Sequence, residues 1–495
     1  MELRLYQERI IQEARVKLRE IKARLAAAGV KRGPRLLIQL GTGGGKTAIS
    51  AFITQSSVKN NRSVAFLCHR DFLVDQTSKT YARLSLDHSF IAAGRWHNPW
   101  SPVHIGMVQS AKSRLAKINA PALCIWDEAH HIGAATWSAI MAQWNDATHI
   151  GLSATPIRLD GKGLDTWFDD IVIGPSVAWL IANQYLSDYR AYAPSSPDLT
   201  GLHTRAGEFV TSEVDELMDR SVVIGDMVRD YRNYAPGRRA VYFCASIKHS
   251  QHVAASFCAA GIPAQHLDGT HSTWERTTAA RSFAAGELQV LTNVDLFGEG
   301  YDLAAQAERD VTIEAVGLAR PTQSVGLFMQ QVGRALRPKE NKAVILDHAG
   351  NISKHGLPDD DREWSLTGLK KQASGGSTTR QCENCFAMIP LAKRTCPHCG
   401  VVKSSEAVGA REVETKDGDL HEIDKDTLRK AKKLEEWQAT SLDELIDIGK
   451  RRGYANAEKW AGFMWTSRKR KDDAREHARR QQMDFYEQLA MERFG

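Results

Sequence analysis

A glycine-rich segment, GTGGGKT at 41–47, stands between the apolar run RLLIQL (35–40) and a stretch of helical periodicity. Strand, glycine turn and helix in this order form a phosphate-binding loop, because glycines let backbone N–H groups turn inward and the helix N-terminus adds a positive dipole end. Lys46 is expected to reach the outer phosphates, and Thr47 to bind Mg²⁺ through its hydroxyl. The strict pattern has glycine where this chain has Leu40, so a plain glycine turn is the alternative. The residues predicted to surround the phosphates are Gly41, Thr42, Gly43, Gly44, Gly45, Lys46 and Thr47.

Two adjacent carboxylates supply the partner that such a loop needs. The apolar run ALCIW (122–126) predicts a buried strand, and Asp127 and Glu128 follow at its carboxyl end. Ligands of open α/β sheets bind at that edge, so the pair is expected beside the phosphate loop. Asp127 would hold Mg²⁺, and Glu128 would orient or deprotonate an attacking water. A solvated turn is the alternative for an isolated Asp-Glu pair, and the phosphate loop weakens it.

Short apolar runs alternate with helical patterns along most of the chain, which is typical of parallel sheets wrapped by helices. The predicted strands fall into two groups, at 35–40, 63–68, 104–108, 122–126 and 149–153, and at 240–244, 263–267, 288–293, 311–316 and 342–347. An irregular interval around 190–220 separates the groups. The fold class is therefore predicted to be α/β, with two tandem parallel-sheet domains, and 495 residues leave room for smaller modules.

The composition changes beyond Trp364, where SLTGLKKQASGGSTTRQ is polar and rich in glycine, as in a flexible linker. The predicted units are a first domain at 1–186, a second at 187–365, a linker at 366–381, a cysteine module at 382–402 and a charged helical region at 403–495.

The cysteine module holds two close pairs, Cys382/Cys385 and Cys396/Cys399, separated by ten residues. This is the spacing of a four-thiolate Zn²⁺ site, which would supply folding free energy to a segment too polar to form a core. A redox dithiol is the weaker alternative. The other four cysteines are expected to be small buried residues in a reducing compartment: Cys68, Cys124, Cys244 and Cys258.

The order of motifs from about residue 3 to residue 350 resembles that of superfamily 2 helicases and translocases. The blocks that carry the resemblance are Leu5-Tyr6-Gln7, GTGGGKT (41–47), FLCHRDFLVDQT (66–77), GMVQS (106–110), Asp127-Glu128-Ala129-His130, Ser153-Ala154-Thr155, LTNVDLFGEGYD (291–302) and QQVGRALR (330–337). The resemblance implies two RecA-like domains with ATP in the cleft between them. It also implies that Gln7 reads the adenine with Arg4 nearby, and that Gly300 and Asp302 approach the nucleotide from the second domain.

The resemblance implies further roles at the domain interface. Ser153 and Thr155 would couple hydrolysis to domain movement, and Arg334 and Arg337 would act as arginine fingers on the γ-phosphate, with Gln330 in the same catalytic segment. The two arginines are three residues apart, so they share a face if the segment is helical. An exposed basic helix is the alternative.

Nucleic-acid contacts are likewise implied by the resemblance. The donors expected along the backbone of a bound strand are His69, Arg70, Gln109 and Ser110 from the first domain and Gly269, Thr270 and Arg276 from the second. Contacts to phosphates position a strand without reading its sequence. Lysine and arginine exceed aspartate and glutamate by only 65 to 59, so a basic footprint must be local.

Finer features resemble RadD-type bacterial repair ATPases: GLSATPIRLDGKGL (151–164), LARPTQSVGLFMQQVGRALRP (318–338) and the cysteine pairs after the core. This likeness favours DNA, single-stranded or branched, as the partner, and leaves RNA open. It also implies single-strand-binding or recombination proteins as associates. Two features depart from the family: the acidic box ends in histidine, as DEAH, and the C-terminal region is shorter, with four cysteines. A related phage-encoded helicase is therefore the alternative to a RadD-type protein.

The predicted function is an ATP-dependent DNA helicase or translocase in repair or recombination. The protein is expected to be a monomer in the cytoplasm without a membrane segment. Three alternatives remain: the motor subunit of a restriction system, a zinc-dependent nucleic-acid-binding ATPase without strand separation, and an RNA helicase. In the tail (441–471), aromatic residues between basic clusters would either stack on single strands or form the core of a helical hairpin.

Overall fold

The computed structural model describes residues 2–158, 161–193, 202–205, 208–219, 221–297, 303–309, 311–368, 379–381, 388–390, 421–422, 436, 439, 441–451, 456–458, 460–462 and 464–466. The chain divides into two compact units. The first comprises Met1–Leu369 and Thr379–Ile423 and contains both large sheets, and the second comprises Lys370–Thr378 and Asp424–Gly495.

The first domain is built on a seven-stranded sheet whose strands all pair in parallel, in the order β3-β4-β2-β5-β6-β1-β7. Its strands are β1 (Arg35–Gln39), β2 (Val64–Cys68), β3 (Ser89–Ile91), β4 (Val103–Met107), β5 (Leu123–Trp126), β6 (Thr148–Ser153) and β7 (Asp170–Ile173). Its helices are α1 (Leu5–Ala27), α2 (Lys46–Lys59), α3 (Asp71–Ala82), α4 (Val108–Ser113), α5 (Ala135–Gln143) and α6 (Val177–Ala182), with short 3₁₀ turns at Leu115–Lys117 and Ala129–His131. Strands β2 and β5 are buried along their whole length, as both faces of a parallel sheet are covered by helices.

The second domain repeats this architecture with one antiparallel edge strand, in the order β12-β13-β11-β14-β15-β8-β18. Its strands are β8 (Tyr189–Ala193), the ribbon β9 (Thr204–Arg205) and β10 (Glu208–Phe209), β11 (Ala240–Cys244), β12 (Ala264–Leu267), β13 (Val290–Asn293), β14 (Ala315–Ala319) and β15 (Ala343–Asp347), followed by the ribbon β16 (Thr379–Gln381) and β17 (Met388–Pro390), and by β18 (His421–Glu422). Its helices are α7 (Thr211–Met218), α8 (Ser221–Tyr234), α9 (Ile247–Ala259), α10 (Thr273–Ala285), α11 (Leu303–Ala307), α12 (Val325–Ala335) and α13 (Asn351–His355). The prediction of two tandem parallel α/β sheets is confirmed.

One predicted strand is misplaced. The run at 311–316 was expected to be a strand, whereas β14 covers Ala315–Ala319 and pairs with β11 on one side and β15 on the other. A central strand is buried on both faces, so the small apolar residues AVGLA fit there and the charged Glu314 does not. Glu314 instead accepts a hydrogen bond from the backbone N–H of Arg239 at 3.1 Å.

Cys258 also departs from its prediction, because it is exposed on α9 while Cys68, Cys124 and Cys244 are buried. The buried face of α9 is formed by Val253, Ala254 and Phe257, and Cys258 lies beside that stripe.

The predicted linker at 366–381 is structured at both ends. The Leu366 carbonyl accepts hydrogen bonds from the backbone N–H groups of Leu164 and Asp165, so this segment returns to the first domain. At its other end, Thr379–Gln381 forms β16, which pairs with β17 inside the predicted cysteine module. The four cysteines of that module lie outside the described residues.

The second unit contains helix α14 (Leu442–Arg451) and a small hydrophobic cluster formed by Ala439, Leu445, Ile448 and Ala461. Trp460 and Trp465 pack against this cluster, which favours a local core over stacking on single strands for these two residues. Among the described residues, no helix is both long and apolar enough to span a membrane.

Candidate active site

The phosphate loop connects the buried strand β1 to helix α2. Gly43 and Gly45 have φ values of +83° and +89°, a region that side chains rarely adopt. A Cβ atom on Gly45 would lie 2.3 Å from the Nε2 atom of Gln7, so glycine is also required by close packing. Leu40, which replaces the usual glycine, is fully buried beneath Gly44 and fills the space under the loop.

Helix α1 holds the loop from its other side. The Tyr6 hydroxyl and the Gln7 Nε2 amide both donate to the Gly44 carbonyl, at 2.7 and 3.0 Å. The Gln7 Oε1 atom accepts from the backbone N–H of Arg4 at 2.9 Å, which caps the helix. Gln7 is therefore beside the predicted nucleotide site, with its amide fixed between the loop and the start of α1.

An aromatic cluster lies next to Gln7. The rings of Tyr6 and Tyr185 are 5.0 Å apart, Trp179 stacks on Tyr185 at 5.8 Å, and the Arg4 guanidinium lies 4.8 Å above the Tyr185 ring. Trp179 is 41% exposed, so the cluster presents an aromatic face to solvent. Such a face can stack on a base. Sequence reasoning missed Trp179 and Tyr185 because they belong to no motif and are brought to the loop by their contacts with Tyr6 of α1.

The charged centre of the site joins the two motifs found in the sequence. The Lys46 Nζ atom lies 3.5 Å from Glu128 Oε1, and both side chains are largely buried. Asp127, at the end of β5, is also buried, and Glu128 adopts φ +47°, which turns its side chain out of the strand direction. The predicted proximity of Lys46 and the acidic pair is therefore observed.

These residues fit a nucleotide with Mg²⁺. The Thr42 hydroxyl oxygen is buried and has no hydrogen-bond partner among the described residues, as expected of a donor kept for a ligand. Lys46 supplies a positive charge, and Thr47 and Asp127 supply the oxygen ligands that Mg²⁺ prefers. Bound Mg²⁺ would neutralise phosphate charge during hydrolysis, while Glu128 is placed to accept a proton from water.

His130 connects the acidic box to the next segment. Its Nδ1 atom lies 3.5 Å from Glu128 Oε2 and 3.1 Å from the Ser153 hydroxyl oxygen. The Ser153 hydroxyl donates to the Thr155 carbonyl at 2.7 Å, so it accepts from His130. A continuous polar path thus runs from Lys46 through Glu128 and His130 to the predicted coupling residues.

Helix α12 of the second domain packs against both the phosphate loop and the Ser153–Thr155 segment. A Cβ atom on Gly333 would lie 2.6 Å from the Cβ atom of Thr42, and one on Gly326 would lie 2.9 Å from Thr155 Oγ1. Gln330 and Arg334 are buried on the same helix. The helix ends at Ala335, so Arg334 is helical and Arg337 is not, and the two do not share one helical face.

Arg337 is held by the segment that precedes β8. Its carbonyl accepts a hydrogen bond from the Ser187 hydroxyl at 3.0 Å, and its side chain is half-buried. It lies two residues beyond the end of α12.

A cavity of about 260 Å³ lies between the domains, on the side of His130 and Thr155. Arg70 and His131 line it from the first domain, and Asp295, Arg320 and Gln330 line it from the second. The Arg70 Nε atom donates to His69 Nε2 at 3.2 Å, so these two predicted nucleic-acid contacts lie together beside the acidic box.

The other predicted nucleic-acid contacts lie on two helix starts. Gln109 is exposed and Ser110 is half-buried in the first turn of α4. Gly269 is exposed in the loop before α10, but the backbone N–H and hydroxyl of Thr270 both donate to Asp268 Oδ1, at 2.8 and 2.6 Å. Arg276 is half-buried, in the first turn of α10. Gly300 and Asp302 lie outside the described residues.

Two family models match the chain. Residues 1–158 match the type III restriction enzyme res subunit model, and residues 223–339 match the helicase conserved C-terminal domain model. Among solved structures, the chain is similar to the DNA-bound type ISP restriction-modification enzyme LlaBIII, with a TM-score of 0.52 and 17% identity over 70% of this chain and 27% of that one. This likeness supports the fold.

Two curated relatives extend the comparison. A 51.5 kDa protein of Lactococcus phage (isolate 7-9) is 34% identical over 74% of this chain and 77% of its own length. The Saccharomyces cerevisiae protein named putative ATP-dependent helicase IRC3 is 27% identical over 64% of this chain. The matched region spans 49% of the length of IRC3. The chain belongs to the superfamily 2 helicases and is an ATP-hydrolysing enzyme.

Proposed function

We propose that the chain is a nucleic-acid-stimulated ATPase that translocates on or remodels DNA. The observation that carries the proposal is the position of α12, which places Gly333 against the phosphate loop and Gly326 against Thr155. One helix of the second domain thereby meets both the nucleotide site and the Ser153–Thr155 segment. A change at the phosphates would shift this helix, and with it the second domain.

The residues of the site have different roles in ATP hydrolysis. Lys46 and the loop N–H groups bind the phosphates, Glu128 orients water and accepts its proton, and Arg337 adds positive charge when the domains close. His130 links Glu128 to Ser153, because its Nδ1 atom lies near both side chains. A change in the charge or position of Glu128 would therefore alter the hydrogen bond from His130 to Ser153. The exposed face of Tyr185 and Trp179 would stack on adenine, with the Gln7 amide beside it.

The choice of DNA rests on relatives and on the RadD-like segments of the sequence. The RadD-like segments favour a role in repair or recombination. The match to the restriction-enzyme res subunit model favours another candidate function, the motor of a restriction system. An Escherichia coli type I restriction enzyme EcoAI endonuclease subunit, 25% identical over 44% of this chain, supports the same candidate.

ATP turnover measured alone and with single-stranded DNA, duplex DNA, branched DNA and RNA tests the proposal. Stimulation by DNA well above that by RNA supports it, and equal stimulation by RNA contradicts the DNA preference. No stimulation by any nucleic acid contradicts a motor function. Preference for branched DNA favours repair, whereas displacement of a third strand from linear duplex favours a restriction-type motor.

Three further assignments belong to this proposal. The CxxC pairs at 382–385 and 396–399 would bind one structural Zn²⁺, an inference that rests on their spacing. The chain would act as a monomer in the cytoplasm, where free thiols such as the exposed Cys258 persist. Single-strand-binding or recombination proteins are the partners expected for the repair candidate.

A further inference from the structure

Three metal-binding side chains meet in the second domain, away from the nucleotide site. His266 lies on β12, and Asp268 and His271 lie in the loop that leads to α10. Their candidate ligand atoms all lie within 4.8 Å of one another. His266 Nε2 is 3.1 Å from Asp268 Oδ2, and His271 Nδ1 is 3.0 Å from Asp268 Oδ1.

The hydrogen bonds around His266 determine which ring nitrogen carries a proton. The Thr292 hydroxyl donates to the Ser250 carbonyl at 2.8 Å, and the Ser250 hydroxyl donates to Thr292 Oγ1 at 2.9 Å. The Ser250 oxygen therefore accepts from His266 Nδ1, at 2.7 Å. In the neutral ring, the Nε2 atom of His266 then has a bare lone pair directed at the Asp268 carboxylate.

His271 repeats this arrangement. Its Nδ1 atom lies 3.0 Å from Asp268 Oδ1 and accepts a long hydrogen bond, at 3.2 Å, from the backbone N–H of Asp268. A metal ion at this nitrogen would take the place of that hydrogen bond. One buried carboxylate thus lies between two imidazole nitrogens.

Thr270 holds the Asp268 carboxylate in place, because its backbone N–H and its hydroxyl both donate to Oδ1, at 2.8 and 2.6 Å. These contacts keep the carboxylate beside the two imidazole rings.

We infer that His266, Asp268 and His271 form a binding site for a divalent transition-metal ion of the zinc type. Two imidazole nitrogens and one carboxylate oxygen are a common ligand set for such ions, and three protein ligands leave a position open for water or another oxygen ligand. Ligand atoms about 2.1 Å from one ion lie roughly 3–3.5 Å apart, as the His-Asp pairs do here. Ser250 holds His266 in the tautomer that a metal requires.

Cobalt binding by the full-length chain tests the inference. Replacing Cys382, Cys385, Cys396 and Cys399 by serine removes the predicted thiolate site, and Co²⁺ is then titrated into the metal-free protein. The inference expects about one Co²⁺ per chain, with visible ligand-field bands and without thiolate charge-transfer absorption. Adding His271→Gln should weaken this binding at least about tenfold, since one of three ligands is lost.

The controls separate ligation from folding. His252→Gln replaces a half-exposed histidine of the same domain that pairs with Asp219, and it should leave Co²⁺ affinity unchanged. Thermal unfolding without metal should be the same for the His271 variant and its parent, because His271 is partly exposed at 24%. Ser250→Ala should weaken binding less than His271→Gln does. Absence of Co²⁺ binding in the cysteine-free chain, or binding that survives His271→Gln, would overturn the site.

Discussion

The Nδ1 atom of His130 lies 3.1 Å from the hydroxyl oxygen of Ser153, which in turn donates to the Thr155 carbonyl. This contact joins the acidic box at the end of β5 to the segment after β6. Thr155 packs near Gly326 of α12, so the contact lies on the direct path between the nucleotide site and the second domain.

Removing the Ser153 hydroxyl should uncouple hydrolysis from movement. For Ser153→Ala, we expect basal ATP turnover close to that of the wild type and nucleic-acid stimulation reduced about fivefold or more, the usual range of a coupling free energy. Steady-state ATPase assays with and without DNA measure both. The control is Ser138→Ala, which removes a hydroxyl of α5 that donates to the Ile132 carbonyl. Full stimulation in Ser153→Ala would contradict the coupling role.

Lys46 and Glu128 face each other but should fail in different ways when replaced. Lys46→Ala removes a phosphate contact, so ATP binding and turnover should both be lost. Glu128→Gln keeps the site formed and should lower turnover about 10²–10⁴-fold while ATP stays bound. Equilibrium binding of ATP and single-turnover hydrolysis distinguish the two. Lys59→Ala, at the exposed end of α2, is the matched control. Wild-type turnover in Glu128→Gln would refute the acidic-box assignment.

Arg337 should act mainly in the transition state. Because the proposed role of Arg337 is to supply positive charge when the domains close, Arg337→Ala should leave nucleotide affinity within a few-fold and lower kcat at least about a hundredfold. The control is Arg281→Ala, an exposed residue of the second domain paired with Glu308. Equal losses in affinity and rate would instead indicate contact with the ground-state nucleotide.

Acid should destabilise the first domain through His149. This buried side chain accepts from Trp126 Nε1 and donates to the Trp144 carbonyl, and burial lowers its pKa to about 4. The unfolded chain has a histidine pKa near 6.5, so it binds the proton first. The stabilising contribution is complete above pH 6.5 and is lost as pH falls through about 4, by about 3 kcal/mol at most. Denaturant unfolding of His149→Gln should show a shallower pH dependence, whereas the exposed His203→Gln should match the wild type.

The cysteine pairs should hold metal independently of ATP hydrolysis. Cys396→Ser should release about one Zn²⁺ per chain, because a four-thiolate site needs every ligand, and basal ATPase should persist. Metal content by mass spectrometry and ATPase with and without DNA are the two measurements. Unchanged metal content would refute the ligand assignment.

The nucleotide site could be predicted from sequence because its parts are local. GTGGGKT follows β1 and Asp127-Glu128 follows β5, and the carboxyl ends of parallel strands meet at one edge, so adjacency along each strand determines position in space. Parallel-sheet burial made most strands visible as apolar runs. The strand predicted at 311–316 is misplaced, because apolar and polar residues alternate just before the buried AVGLA strand.

Only the tertiary structure decided which distant residues complete the site. Gln7 meets Gly44 across 37 positions, Tyr185 packs against Tyr6 beside the loop, and Gly333 meets Thr42 from the other domain. The end of α12 before Arg337, and the hydrogen-bond chain that leaves His266 Nε2 bare, were equally invisible in the sequence. These features depend on how helices pack on sheets and on the direction in which each donor points. Residue type and spacing specify the strand, loop and helix, whereas contacts between distant segments follow from packing.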